Sequence, residues 1–361
     1  MVGLKNFVLT LLVSAATLAS LEGVLRVRQW WKYGSASTGV HGVINDPVTG
    51  LPIPKPGYKD KNITINSRGF RSPEIELPKP NRRIRLVFLG GSTTYCAEVS
   101  RNEKTWPHLV TEHLKRHWPQ AEFDYVNAGV PGYTTAEMLT TLKRRVEVLQ
   151  PDIVICYEAT NDLSSDSRKL AEERGLRPAT GKGEGLSRLA SYSMLLTIAE
   201  LNIKIIARQN AAKSGQKRLT FEPRQLSRPF EARMQALVRE AKQQNRIVAL
   251  VTFAPKLRRE QSPEERLHAA VTSLFYMPYM SVDGLMTGFD EYNRVIRTTA
   301  SEAGVILIGG ENSIPADDAH YNDSVHFKDA GAEAMAERVA NGLIHAEPVR
   351  EFVTSRWPPV N

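Results

Sequence analysis

Cysteine is nearly absent: Cys96 and Cys156 are the only two in 361 residues. Two cannot make a disulfide framework, and their spacing suits no metal site. They read as small core residues, with a single bridge open if the compartment is oxidising. Aromatic residues are sparse at 7%. Long blocks of one charge are also missing. The 47 Lys and Arg outnumber 39 Asp and Glu, for a net charge of +8, but the basic residues are dispersed. No zinc-finger spacing or aromatic-basic repeat accompanies them, so nucleic acid is not expected as a partner. A basic surface near anionic lipid fits better. No internal repeat is present. The Gly-x-x-x-x-Gly-Lys-Ser/Thr phosphate loop is absent, and Gly90-Gly91 lacks the third glycine of a dinucleotide motif. His113 and His117 share a helix face without the intervening Glu of a zinc motif. Neither a cofactor nor a metal is therefore expected.

What is present begins with one long apolar run, Phe7 to Leu21, preceded by Lys5 and followed by Arg26, Arg28 and Lys32. Continued to Leu25 it gives about 19 residues, enough to span a bilayer of roughly 30 Å. Trp30-Trp31 looks like an interfacial belt, so residues 1–34 read as a signal-anchor. A cleaved signal peptide and a buried core helix are the alternatives. The flanking cations do not by themselves favour export. Residues 35–83, with Pro47, Pro52, Pro54 and Pro56, read as an extended lead-in. Ile63–Asn66 within it is a candidate short strand.

From residue 84 strand and helix patterns alternate. Strands are expected at Ile84–Leu89, Phe123–Asn127, Ile153–Tyr157, Ile247–Thr252 and Val305–Ile308. Helices are expected at Thr105–Trp118, Thr134–Leu149, Phe230–Gln244, Tyr292–Ala303 and Ala330–Ile344. Strands separated by helices imply an α/β fold, a three-layer sandwich around a parallel sheet of about five strands, over residues 84–345. Residues 164–229 interrupt that rhythm. They read as an insertion or lid with a helix from Leu186 to about Arg208, or more boldly as a helix lying on a membrane. Residues 257–290 read as irregular. The run Phe275–Met280 within them reads as core, with an acyl pocket as the alternative. Residues 346–361 are a C-terminal tail.

Ligands of open α/β sheets lie at the carboxyl ends of the strands. Four short segments fall just after a strand or before a helix. Gly90-Gly91-Ser92-Thr93-Thr94 offers a hydroxyl in a tight turn. Asn127-Ala128-Gly129-Val130-Pro131-Gly132 ends on a glycine whose N–H can face a substrate oxygen. Ala159-Thr160-Asn161-Asp162 offers a carboxamide. Asp323-Ser324-Val325-His326 offers an imidazole with an acid to orient it. Together they supply a nucleophile (Ser92), a base (His326), its acid (Asp323) and oxyanion donors (Ser92 N–H, Gly132, Asn161). Asp317 and His320 form a second Asp-x-x-His. The later pair is preferred because Gly331 and an amphipathic helix follow it directly.

These blocks resemble the SGNH hydrolases, or GDSL-type esterases, whose serine, glycine, asparagine and histidine map to Ser92, Gly132, Asn161 and His326. The resemblance covers about residues 84–345. It implies a flavodoxin-like fold and a serine esterase that forms an acyl-enzyme on an ester or acylated carbohydrate. Gly91 stands where Gly-Asp-Ser has its Asp, and Cys96 where a glycine often follows. The lead-in Asn66–Arg71 and the N-terminal run resemble a bacterial membrane-tethered branch, which implies an extracytoplasmic catalytic domain. An O-acyltransferase acting on a cell-envelope glycan is the alternative that uses the same site. A non-catalytic membrane-tethered scaffold is the alternative of another class.

Overall fold

The computed structural model of the chain describes residues 2–33, 42–176, 192–213 and 218–358. The glycine-rich run 181–185 and the expected start of a helix at Leu186 lie outside them. The N-terminal helix α1 spans Val2–Tyr33. Two short antiparallel strands follow in the lead-in, β1 (Val43–Asn45) and β2 (Pro52–Pro54). Ile63–Asn66 makes no strand: Thr64 forms only an isolated bridge with Lys59. The core then runs β3 (Ile84–Gly90), α2 (Ser92–Tyr95), α3 (Trp106–His117), β4 (Phe123–Asn127), α4 (Thr135–Thr141), β5 (Ile153–Tyr157), α5 (Thr160–Glu173), α6 (Met194–Lys213), α7 (Pro223–Ala241), β6 (Ile247–Val251), α8 (Pro263–Tyr276), α9 (Val282–Ala303), β7 (Ile306–Ile308), α10 (Asp329–His345) and α11 (Glu347–Arg356).

Five strands pair in the order β4-β3-β5-β6-β7, all parallel. Every residue of β3 and β5 is buried. β5 is an unbroken apolar run and β3 is apolar apart from Arg85, which is buried and paired with Asp124 at 2.7 Å; a sheet covered on both faces requires this, because neither set of alternating side chains meets water. α3 packs on β4 and against α10, while α7 packs against α4, α5 and α9. These groups are the outer layers of the sandwich. The chain leaves β3 for β4 on one side and returns to β5 on the other. The ends of β3 and β5 therefore flank the point where the strand order reverses, where open sheets leave a crevice for a ligand.

Several elements differ from their expected bounds. The helix expected to run to Leu149 stays α-helical only to Thr141, then passes through a π turn and a 3-10 turn before the left-handed Gln150. α7 begins at Pro223, seven residues ahead of Phe230, and tolerates Pro229 inside its second turn. The stretch expected to be irregular holds α8, opened by a Ser262–Glu265 capping box, and the first half of α9, capped by Ser281. Met277, Tyr279 and Met280 are buried in the core. Residues 164–229 include the second half of α5 and the first turns of α7, which bury Leu170, Ala171 and Leu226.

Within α1, Lys5–Arg28 is long and apolar enough to cross a membrane, with mean hydropathy 1.9 and none of it buried. Its one acid, Glu22, pairs with Arg26 at 2.7 Å and accepts the backbone N–H groups of Met194 and Leu195, both at 2.9 Å. The start of α6 is thus capped by a side chain from α1, which satisfies amides that a helix cannot bond internally.

Candidate active site

Ser92 is the first residue of α2, a single turn directly after β3. So short a helix has little macrodipole, and any donation here comes from the local Ser92 amide. The turn ends at Cys96, whose φ of 62° and ψ of 51° are left-handed, a conformation that glycine adopts without strain. Four carbonyls of the turn are gripped by side chains. Trp106 Nε1 donates to the Thr93 carbonyl at 3.0 Å and Asn127 Nδ2 to that of Thr94 at 2.9 Å. Arg71, fully buried, donates to the carbonyl of Tyr95 at 3.0 Å and to that of Cys96. Arg71 also reaches Asn102 Oδ1 at 2.9 Å and the Asn62 carbonyl at 3.0 Å. The lead-in is thereby tied to the Ser92 turn. Both cysteines are free and buried, and burial pushes each thiol up to about 12.

His326 lies in the loop before α10. Asp323 Oδ1 accepts the N–H groups of Val325 and His326, both at 2.9 Å, which curls the loop into a tight turn. Asp323 Oδ2 is 2.8 Å from His326 Nδ1, and His326 Nε2 is 2.7 Å from Ser92 Oγ. With Nδ1–H donating to the acid, Nε2 is left to accept the serine proton. Ser324 secures the loop from behind, its Oγ accepting the N–H groups of Thr272 and Ser273 at 3.0 and 3.1 Å. Burial would lower the affinity of His326 for a proton, but the Asp323 hydrogen bond and the nearby charge of Glu98 outweigh it and raise its pKa. Burial likewise opposes ionisation of Asp323, yet bonding to His326 leaves its carboxyl below the usual value. The alternative pair, Asp317 and His320, bond each other at 2.7 Å near the surface. His326 is the imidazole that reaches Ser92.

Gly132 has φ +85°, with open space where a Cβ would sit. Asn161 donates its side-chain amide to the carbonyl of the next residue, Tyr133, at 2.9 Å. A Cβ placed on Gly91 would lie 2.4 Å from Asn161 Nδ2 and 3.2 Å from the Tyr133 carbonyl. The Gly132–Tyr133 turn and the Asn161 carboxamide therefore converge on the residue preceding Ser92. Behind them Asp162, fully buried, accepts the Thr135 N–H and hydroxyl, both at 2.8 Å, and Arg233 Nε at 2.8 Å. Arg233 also reaches Asp166 at 2.6 Å. Burial pushes Asp162 up to about 6 against the pull of Arg233. This clamp fixes the start of α4 to the start of α5. The structure brings Ser92, His326 and Asp323 into contact and sets Asn161 and the residue after Gly132 beside Gly91. It adds three residues that the sequence did not assign: Arg71, Glu98 and Glu158. Glu158 had a signal, a charged residue ending a fully apolar strand; Glu98 had none.

The model of the GDSL-like lipase/acylhydrolase family matches residues 88–334, which is most of the chain. The chain belongs to the GDSL-like lipase/acylhydrolase family. As a member of that family it is a hydrolase of ester bonds. Similar solved structures include the acetylxylan esterase Axe2 of Geobacillus stearothermophilus, 18% identical over 74% of this chain and 96% of that one, with a TM-score of 0.44. The lipase/acylhydrolase of Enterococcus faecalis is also 18% identical, over 77% of this chain and 99% of that one, with a TM-score of 0.43. No curated protein sequence matches the chain.

Proposed function

We propose that this GDSL-family hydrolase is a serine esterase in which Ser92 is the nucleophile, His326 the general base and Asp323 its orienting acid. The observation that carries the reading is the continuous chain from Asp323 Oδ2 through His326 to Ser92 Oγ, with contacts of 2.8 and 2.7 Å. Ser92 Oγ attacks the ester carbonyl as His326 Nε2 takes its proton, and Asp323 stabilises the imidazolium. The Ser92 N–H, the Gly132 N–H and the Asn161 carboxamide donate to the tetrahedral oxyanion. His326 returns the proton to the leaving alkoxide. Water, activated by the same imidazole, then releases the acid from the acyl-enzyme. The substrate class is an O-acyl ester, and α1 tethers the enzyme to a membrane with its catalytic domain outside the cytoplasm.

The test is hydrolysis of a short-chain aryl ester together with fluorophosphonate labelling and peptide mapping. Ser92→Ala is expected to lose roughly 10⁴–10⁶ in kcat and all labelling. Asn161→Ala is expected to lose roughly 10²–10³. An unchanged rate in Ser92→Ala would remove the serine reading.

A further inference from the structure

Glu158 is a carboxyl that the mechanism above leaves unused, although it lies inside the site. It follows β5 directly and is 1% exposed. Both of its oxygens reach Asn161. Oε1 accepts the Asn161 backbone N–H at 2.7 Å, and Oε2 lies 3.3 Å from the Asn161 side-chain nitrogen. The same nitrogen donates to the Tyr133 carbonyl at 2.9 Å. Glu158 Oε1 thus fixes the Asn161 backbone and the Tyr133 carbonyl fixes one hydrogen of its carboxamide, with Glu158 Oε2 beside the other. A helix start needs only a short Ser, Thr or Asp to bond its early amides. A buried carboxyl is costly by comparison, and the extra length of Glu serves to reach the carboxamide.

Gly91 provides an independent observation. A Cβ at that position would meet Glu158 Oε2 as well as Asn161 Nδ2 at 2.4 Å. In the Gly-Asp-Ser form of the motif an acid stands here. In this chain the position is bare and the acid enters the same space from the end of β5.

We propose that Glu158 is a positioning residue for ester hydrolysis, holding Asn161 so that its carboxamide points where it donates to the oxyanion. The proposal rests on the serine-esterase reading. Burial, with the charge of Asp162 adding to it, pushes Glu158 up to about 8. The groups that face it are Asp162 on α5, His326 before α10 and Tyr157 on β5. Arg233 is occupied by Asp162 and Asp166. The neutral carboxyl is a weak acceptor at its 3.3 Å contact and leaves the amide hydrogen available to an oxyanion. Above pH of about 8 the carboxylate competes for that hydrogen and repels the oxyanion, so kcat falls.

A double-mutant cycle with full kcat and KM profiles tests this. Glu158→Ala is expected to lower kcat about 10- to 100-fold, less than Asn161→Ala, with KM unchanged. In the Asn161→Ala background it is expected to cost nothing further, because its effect passes through Asn161. Glu158→Gln keeps the volume and one acceptor, and is expected to lose the alkaline fall of kcat; if Glu158→Ala does not fold, that alkaline limb is the deciding readout. Additive losses in the two backgrounds, or an alkaline limb that persists in Glu158→Gln, overturn the proposal. Failure of the underlying reading shows separately, as a rate that survives Ser92→Ala.

Discussion

His326 sits where two opposing influences meet. Burial favours the neutral ring, while the Asp323 hydrogen bond and the charge of Glu98 favour the imidazolium, and the balance lies above the ordinary histidine value. A general base must be neutral to accept a proton, so activity is expected to rise as pH rises through that raised pKa. The acid limb of kcat/KM, which reports the free enzyme, is expected above pH of about 6.5, the unperturbed value. Glu98→Gln removes one of the charges holding the proton and is expected to move the limb down; a limb that stays put assigns no role to Glu98. At position 91 the steric argument gives a second expectation. Gly91→Ala places a methyl against the Asn161 and Glu158 side-chain ends, 2.4 Å from each. It is expected to lower kcat at least about 10-fold, on the scale of a displaced oxyanion donor. Circular dichroism then checks that the sheet is intact. At this scale the sequence was legible where chemistry demands a residue type, as at Ser92, His326 and Asp323. It was silent on Arg71 and Glu98, because their significance lies in what they touch. Arg71 has the same local sequence whether its guanidinium faces water or the Ser92 turn.

The element that matters most is the shortest. α2 has four residues, too few to be stable alone, since helix nucleation is unfavourable. It persists because Trp106 from α3, Asn127 from β4 and Arg71 from the lead-in each take carbonyls at its end. Arg71→Lys keeps the charge but replaces a planar fork with a single ammonium. The loss of bonds to buried carbonyls is expected to cost about 1–3 kcal/mol in a denaturant titration and to lower kcat through a loosened Ser92. Equal stability of that variant and the wild type would show that the lead-in does not support the turn. Strands were legible from periodicity, as were α3, α10 and the later parts of α7 and α9. The break in the α4 region and the helices within residues 257–290 were not. Charged and aromatic residues obscure the helical pattern of α8.

At the scale of the whole molecule, the reversal of strand order between β3 and β5 decides where the site lies. The carboxyl ends of those two strands carry Ser92 and Asn161, and α10 closes the site by bringing His326 across a sequence separation of 234 residues. α1 adds a property independent of that arrangement. If it remains attached and spans a bilayer, the full chain is expected to stay in the membrane pellet after an alkaline carbonate wash. Its intact mass is then expected to include residues 2–33. A soluble product starting beyond residue 21 would instead identify a cleaved signal peptide.

Alternating apolar runs and turn residues by themselves determined a parallel α/β sheet, and the short polar blocks at strand ends determined which side chains were candidates. Both follow from local rules: backbone periodicity sets which faces are buried, and reaction chemistry limits which groups can act. Only the tertiary structure decided which Asp-x-x-His reaches Ser92, why glycine occupies position 91, and that a buried glutamate holds Asn161. Those depend on distances between segments far apart in the chain, which are set by packing across the sheet rather than by neighbours in sequence.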